Sequence, residues 1–344
     1  MSRSRKRVLV TGAGGFIGHH LVKRLKAEGC WVRGADIQAP QFEETQADDF
    51  RLADLREPDR CNEVTEGVEE VYNLAADMGG IGYIGTRRAD IARNNILINA
   101  HMLEASRLHG VGRFLFSSSA CVYPQSVQSS ADVEPLKEED AIPADPEPGY
   151  GWEKLYAEQL CAYYRQDHGL ETRIVRFHNV YGPLGSYQGG REKAPAAISR
   201  KVALAADGSE IEVWGDGDQT RSFMFIDDCV EGLLRIMASG HAEPLNLGTD
   251  RLVTINQLVD QVAALAGKRL RKRHLLDRPQ GVRGRNSDNS RLRRVLGWEP
   301  EIPLEQGLRQ TYDWIAAELA VTPATMREPR RTAYERRSIT TPPV

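Results

Sequence analysis

The sequence lacks the features that would tie a chain to a bilayer, an oxidising compartment or a polyanion. No apolar run in its 344 residues approaches the ~18 needed to span a membrane, so no membrane partner is expected. The five cysteines (Cys30, Cys61, Cys121, Cys161 and Cys229) are odd in number, widely spaced and without a C-x-x-C pair. That pattern argues against a disulfide framework or a zinc site and for a reducing, cytoplasmic setting, and no metal is expected. The net charge of -3 provides no global basic field for nucleic acid or anionic lipid, so any phosphate binding must come from local groups. The start, Met1 to Arg7, is basic like a signal peptide's first region. Val8-Leu9-Val10 and a glycine turn come next instead of a long apolar segment, so it reads as a solvated arm before a first strand.

What is present is an ordinary soluble composition, 41% hydrophobic and 27% charged, in a chain long enough for two lobes. Short β-branched runs at Val8–Val10, Trp31–Ile37, Phe50–Leu52, Val71–Ala76, Arg113–Ser117 and Arg173–Phe177 read as strands. Helical patterns lie between them, at Phe16–Glu28 with Ile17, Leu21 and Leu25 at four-residue spacing, at Asn95–Leu108, and at Gly151–His168. Such alternation implies an α/β fold, a Rossmann-type doubly wound parallel sheet covered on both faces. After Phe177 the regularity breaks into turn-rich sequence, a helix near Ala194–Ala206 and a strand near Ile211–Trp214. The expected division is a cofactor-binding domain over 1–176, with chain returning at about 218–240, and a smaller C-terminal α+β substrate lobe over 177–321. Residues 322–344, rich in arginine, threonine and proline, read as a mobile tail.

Thr11-Gly12-Ala13-Gly14-Gly15-Phe16-Ile17-Gly18 follows the first strand and opens a helix. Gly12 permits the tight turn, Gly15 lets backbone approach a pyrophosphate, and Gly18 lets the helix pack on the strand. The pyrophosphate would rest on the helix N-terminus, where free N–H groups and the dipole favour negative charge. Asp36 ends the second strand at the distance expected for a residue that accepts from a ribose diol and repels a 2′-phosphate, which favours NAD over NADP. Arg33 lies close enough to bear on that choice.

Tyr150-Gly151-Trp152-Glu153-Lys154 places a phenol and an ammonium one helical turn apart. A neighbouring lysine charge stabilises phenolate, and is expected to lower the Tyr150 pKa enough for it to take a hydroxyl proton. Together with the glycine turn and Ser117-Ser118-Ser119, this resembles the extended short-chain dehydrogenase/reductase family. The resemblance implies that Ser119 bonds the reacting sugar oxygen, that Tyr150 is the acid/base, and that Lys154 activates it and holds the nicotinamide ribose. It further implies an adenine contact from Asp54.

Four segments are more specific: Asn73 to Gly80, Ser118-Ser119-Ala120-Cys121-Val122-Tyr123-Pro124, Gly189 to Ala197, and Gly281 to Asn289. Over about Val8 to Trp314 they resemble the GDP-mannose 3,5-epimerases of that family. The resemblance implies transient oxidation of sugar C4 by bound NAD, which acidifies the C3 and C5 protons. Cys121 and Lys193 would then act as acid and base on opposite ring faces, before re-reduction at C4, giving GDP-L-galactose or GDP-L-gulose. Both side chains have pKa values that environment readily shifts toward neutrality. Substrate contacts carry over to Gly79, Ser119, Asn179, Glu192, Lys193, Lys201, Gln219, Arg221 and Arg285, with Arg285 as the diphosphate clamp. A homodimer is implied. Gln125 stands where the family usually has an acidic residue, and Asp145 to Gly149 is richer in proline than expected. Those departures leave room for a longer GDP-linked heptose or octose. A UDP-hexose 4-epimerase would need only Tyr150 and Lys154 and would give Cys121 and Lys193 no role.

Overall fold

The structure, a computed structural model, describes residues 5–321, so the expected tail at 322–344 lies outside the described residues. The elements run β1 (Arg7–Thr11), α1 (Phe16–Ala27), β2 (Trp31–Asp36), β3 (Asp49–Leu52), α2 (Pro58–Thr65), β4 (Glu70–Asn73), α3 (Ile81–Ile84), α4 (Arg88–Leu108) and β5 (Arg113–Ser119). Next come α5 (Tyr150–His168), β6 (Glu171–Phe177), β7 (Asn179–Tyr181), α6 (Ala194–Leu204), β8 (Glu210–Trp214), β9 (Thr220–Arg221), β10 (Phe223–Phe225), α7 (Ile226–Ala238) and β11 (Leu245–Leu247). The chain continues through β12 (Val253–Thr254), α8 (Ile255–Leu265), β13 (Arg271–Leu275), β14 (Gly284–Arg285), α9 (Ser290–Leu296) and α10 (Leu304–Val321).

Seven strands form one sheet in the order β11-β6-β5-β4-β1-β2-β3, and every pairing in it is parallel. The order reverses between β1 and β4, which is where an open α/β sheet of this topology leaves a crevice beyond its carboxyl ends. Successive residues of these strands enter opposite apolar layers. Val8, Val10 and Leu115 pack in one cluster with Leu21, Leu25 and Leu233, while Leu9, Phe114 and Phe116 pack in another with Met102, Leu103 and Cys161. A strand covered on both faces is apolar on both, which is why Val8–Val10 and Phe114–Phe116 read as continuous hydrophobic runs rather than alternating ones.

Chain beyond Phe177 also joins this layer. β11 adds the edge strand beside β6, and α7 enters the same apolar cluster as α1 through Cys229, Val230 and Leu233. Smaller sheets lie beside it: β7 with β10, β8 with β13, and the trio β12-β9-β14.

Three elements differ from the sequence reading. The fourth strand stops at Asn73 instead of Ala76, because the Thr11 hydroxyl accepts the N–H groups of Leu74 (3.0 Å) and Ala75 (3.1 Å) and bends the chain across the glycine turn. The helix expected from Asn95 starts at Arg88, and α2 had no signal.

Beneath the site, Arg176 on β6 makes two bonds to Glu158 on α5, at 2.9 and 2.7 Å, and both side chains are buried. Removing one member of such a pair strands the other charge. Glu158→Ala is therefore expected to cost about 3–5 kcal/mol of stability, read by chemical denaturation. A loss below about 1 kcal/mol would mean that the pair behaves like an exposed one.

Candidate active site

The glycine turn fits the demands of a dinucleotide. Gly12 has φ +69°, and a Cβ there would lie 2.9 Å from the Leu74 and Ala75 backbone. A Cβ on Gly18 would lie 2.2 Å from the Gly12 carbonyl oxygen, so the α1–β1 approach requires glycine. At Gly15 an added Cβ would meet only the Gly12 oxygen at 3.2 Å, leaving that side of the turn open. Gly15 is the N-cap of α1, no side chain caps the helix, and no acidic residue occupies its first turn. An uncapped N-terminus beside an open backbone surface is a good seat for a pyrophosphate. Phe16 packs under the loop after β7, close to Gly182 and Gly185, and Ile17 packs against the core.

Asp36 accepts from the Gly14 N–H (3.0 Å) and the Gln38 N–H (3.1 Å), and burial raises its pKa to about 6. Arg33 is buried and points elsewhere. It pairs with Asp49 (2.9 Å) and donates to the Val64 and Glu66 carbonyls, so it is committed away from a 2′-phosphate. Asp54 is paired with Arg56, and its carboxylate meets that guanidinium through both oxygens. Any contact it makes with an adenine shares the group with Arg56.

Across the crevice, β5 ends at Ser119, whose hydroxyl accepts the Cys121 N–H at 3.2 Å and starts the short 3-10 turn Ala120–Val122. Tyr150 is the first residue of α5, and Lys154 lies one turn on. The Lys154 ammonium is buried, donates to the Ser117 carbonyl (3.0 Å), and stands 5.6 Å from the centre of the Tyr150 ring. The expectation that Lys154 simply lowers the phenol pKa needs correction. Burial pushes Tyr150 well above the ordinary tyrosine value, the Cys121 and Glu153 groups push the same way, and a hydrogen bond with Ser119 opposes them. Burial lowers Lys154 in turn, against the carboxylate of Glu153.

The two proposed proton carriers arrive from different parts of the chain. Cys121 is half-buried in the turn after β5, and its sulfur accepts from Arg285 Nη1 at 3.5 Å. Lys193 immediately precedes α6 as its N-cap. Burial holds its amine below the ordinary lysine value, the Cys121 and Cys229 thiols oppose that shift, and Arg285 adds to it. The loop ahead of Lys193 is tied across the crevice: Arg191 donates to the Tyr83 hydroxyl (2.6 Å), which donates to Asp77 (2.7 Å). Gly79 lies under the Tyr83 ring, and Glu192 accepts from Gly190 N–H at 2.6 Å.

Arg221 and Arg285 sit opposite each other in the parallel pairing of β9 with β14. Arg221 donates only to the Thr220 and Gln280 carbonyls, and neither arginine has a carboxylate partner among the described residues. Burial and the neighbouring Arg285 charge lower Arg221 to about 9. Two adjacent guanidinium groups without a counter-charge suit a diphosphate, whose oxygens match their fork geometry. Asn179 donates to the Ser222 carbonyl, Lys201 to the Glu212 carbonyl (2.8 Å), and Gln219 to the Trp214 carbonyl, while the buried Gln219 Oε1 lacks a partner. Lys201 thus ties α6 to β8. Sequence reasoning missed Gln128, which accepts from the Arg285 guanidinium and donates to the Tyr123 and Pro124 carbonyls, and no motif flagged it. It also passed over the buried amides Asn73, Asn95 and Asn99 behind the Tyr–Lys pair.

No helix among the described residues is long and apolar enough to cross a membrane. The model of the NAD dependent epimerase/dehydratase family matches residues 8–248. The chain is 48% identical to GDP-mannose 3,5-epimerase from Arabidopsis thaliana over 315 residues, covering 91% of this chain and 83% of the relative. Among solved structures it is similar to UDP-glucose 4-epimerase from Thermotoga maritima, with a TM-score of 0.83, 27% identity, and coverage of 91% of this chain and 99% of that one. UDP-glucose 4-epimerase from Thermus thermophilus, solved in complex with NAD, gives a TM-score of 0.78 and 25% identity over 90% of this chain and 98% of that one. With the glycine turn, the Tyr150–Lys154 pair and the seven-stranded parallel sheet in place, these matches establish that the chain belongs to the NAD dependent epimerase/dehydratase family.

Proposed function

We propose that this chain is a GDP-mannose 3,5-epimerase, interconverting GDP-mannose with GDP-L-galactose and GDP-L-gulose. The observation that carries the reading is the placement of Cys121 and Lys193 around one site that also holds an intact Tyr150–Lys154 pair, with Arg285 in contact with Cys121. The 48% identity to the Arabidopsis enzyme supports it. Arg221 and Arg285 hold the diphosphate of the substrate, and Ser119 and Tyr150 bracket the C4 oxygen. Bound NAD supplies the reversible two-electron oxidation at C4. Tyr150 takes the C4 hydroxyl proton and later returns it. The resulting ketone makes the C3 and C5 protons acidic, and Cys121 and Lys193 remove and replace them from opposite faces of the ring. Desolvation lowers the Lys193 amine from the ordinary lysine value, the direction a general base requires.

A longer GDP-linked heptose or octose would use the same redox pair and the same proton carriers. A 4-epimerase acting on a UDP-hexose would leave Cys121 and Lys193 idle.

We further infer a homodimer formed through the exposed face of α5. Trp152, Tyr156 and Tyr163 there are each at least half exposed, an apolar stripe at helical spacing that a second copy would cover. Sedimentation at micromolar concentration is expected to show the dimer, and a monomer would contradict it. The five unpaired thiols support a reducing, cytoplasmic setting.

The functional reading is tested in deuterated water with GDP-mannose and no added oxidant. Wild type is expected to incorporate label at C3 and C5 of the epimerised sugar, read by NMR. Cys121→Ala and Lys193→Ala are each expected to lose ~10²–10⁴-fold in that exchange while still permitting transient reduction of bound NAD. Inversion at C4 alone, without solvent label, would contradict the reading. Label with a GDP-heptose but not with GDP-mannose would move the substrate and keep the mechanism.

A further inference from the structure

Directly behind the Tyr150–Lys154 pair lies a buried carboxylate that the mechanism above does not use. Glu153 and Lys154 have side-chain exposures of 0% and 1%, and their charged atoms stand 3.8 Å apart. Every bond to Glu153 comes from a donor. Asn95 gives its amide to Oε1 at 2.8 Å, and Asn99 gives its amide to Oε2 at 3.4 Å. The donors continue in one direction to the cofactor turn: Asn73 donates to Asn99 Oδ1 (3.0 Å), and Thr11 donates to Asn73 Oδ1 (2.8 Å). A chain of dipoles that all point at one carboxylate favours its ionised form. Asn95 also bonds the backbone of Asp77 in both senses, so the amide is held on the loop that carries Gly79.

Among the described residues Glu153 is the nearest and largest compensating charge for Lys154, and Glu158 adds to it more weakly. Around Glu153, α4 presents the neutral amides of Asn95 and Asn99, and β5 presents Ser117 and Ser119. On β6, Arg176 is engaged by Glu158, the Tyr123 hydroxyl and the Glu138 carbonyl. Asp77 is turned to Tyr83 and Asn94. The remaining titratable neighbours of the Glu153–Lys154 pair are Tyr150, Glu158 and Cys161 on the same helix and Cys121 on the turn after β5. The Lys154 ammonium otherwise meets only the Ser117 carbonyl and the faces of Phe116 (4.9 Å) and Tyr150. A lone ammonium in such a place gives up its proton.

We propose that Glu153 is a positioning residue that keeps Lys154 protonated through its charge, and thereby sets the pH window in which the pair holds cofactor and moves a proton. This rests on the reading of Lys154 as the group that holds the nicotinamide ribose. The sign is fixed by electrostatics. The carboxylate raises both Lys154 and Tyr150, so removing its charge lowers both and moves the whole window to lower pH. Burial brings Glu153 itself to about 7, so its own charge is present above neutrality, where Lys154 needs it.

The test monitors NADH fluorescence during binding to the full chain across pH, which needs no sugar. Wild-type affinity is expected to fall on the alkaline side as Lys154 loses its proton. In Glu153→Gln that limb is expected to move about one pH unit or more to the acid. In Glu153→Asp, which keeps the charge but draws it back, it should lie between the two. A second arm reads the absorbance of reduced cofactor on mixing the NAD-loaded enzyme with GDP-mannose, and its pH window should move the same way. A Glu153→Gln limb at the wild-type position, in protein of normal melting behaviour, overturns the proposal, since a merely structural role lowers affinity without moving the limb. Should the Gln variant not fold, Glu153→Asp decides: an acid shift supports the proposal and a wild-type limb overturns it. If wild type reduces no cofactor with GDP-mannose at any pH, the functional reading fails, while the NADH titration still decides the role of Glu153.

Discussion

The site depends on an ammonium ion held out of water between β5 and α5. Burying Lys154 is costly unless its donors find partners, and the partners are the Ser117 carbonyl, the Phe116 and Tyr150 faces and the Glu153 carboxylate. Those contacts hold the first turn of α5 against the end of β5. Tyr150 is thereby fixed beside Ser119, and the 3-10 turn that begins at Ser119 presents Cys121 next to both. One desolvated charge thus aligns the proposed redox pair and one of the two proposed proton carriers.

A second electrostatic tension lies across the crevice. The parallel register of β9 and β14 sets Arg221 against Arg285, and no carboxylate among the described residues relieves them. The fold holds two like charges together at a cost that a bound diphosphate would offset. Arg285 also touches Cys121, so the anion site and the proposed proton site are continuous. Lys193 enters the same region as the N-cap of α6, with its loop fastened through Arg191 and Tyr83 to the segment after β4. The pieces come from distant parts of the sequence and meet at the carboxyl edge of the sheet, where a switch in strand order opens a crevice.

Much of this was legible before the structure. The central strands announce themselves through short apolar stretches covered on both faces, and the glycine turn because α1 cannot approach β1 with any Cβ at position 18. Local pattern failed where tertiary contacts override it. β4 ends early because a side chain on another strand, Thr11, captures its next two N–H groups. α2 has eight residues, too few for periodicity to register, and β11 has three. The start of α4 at Arg88 carries a single buried apolar residue, Ile91, in its first turn. Electrostatics was the least readable layer. Sequence spacing places Lys154 beside Tyr150, but only the folded chain reveals that desolvation raises the phenol. The commitment of Arg33 to Asp49 and of Asp54 to Arg56 was equally invisible, as was the part played by Glu153, quoted within the motif but silent there.

The central claim is that one sugar is oxidised at C4, inverted beside that carbon and reduced again without leaving the site. It is tested most directly with GDP-mannose carrying deuterium at C4, incubated in ordinary water with the NAD-loaded enzyme. The account predicts that the epimerised product keeps the deuterium at C4, because the label is returned to the carbon that gave it. Epimerised product that has lost the C4 label to the medium would contradict the account.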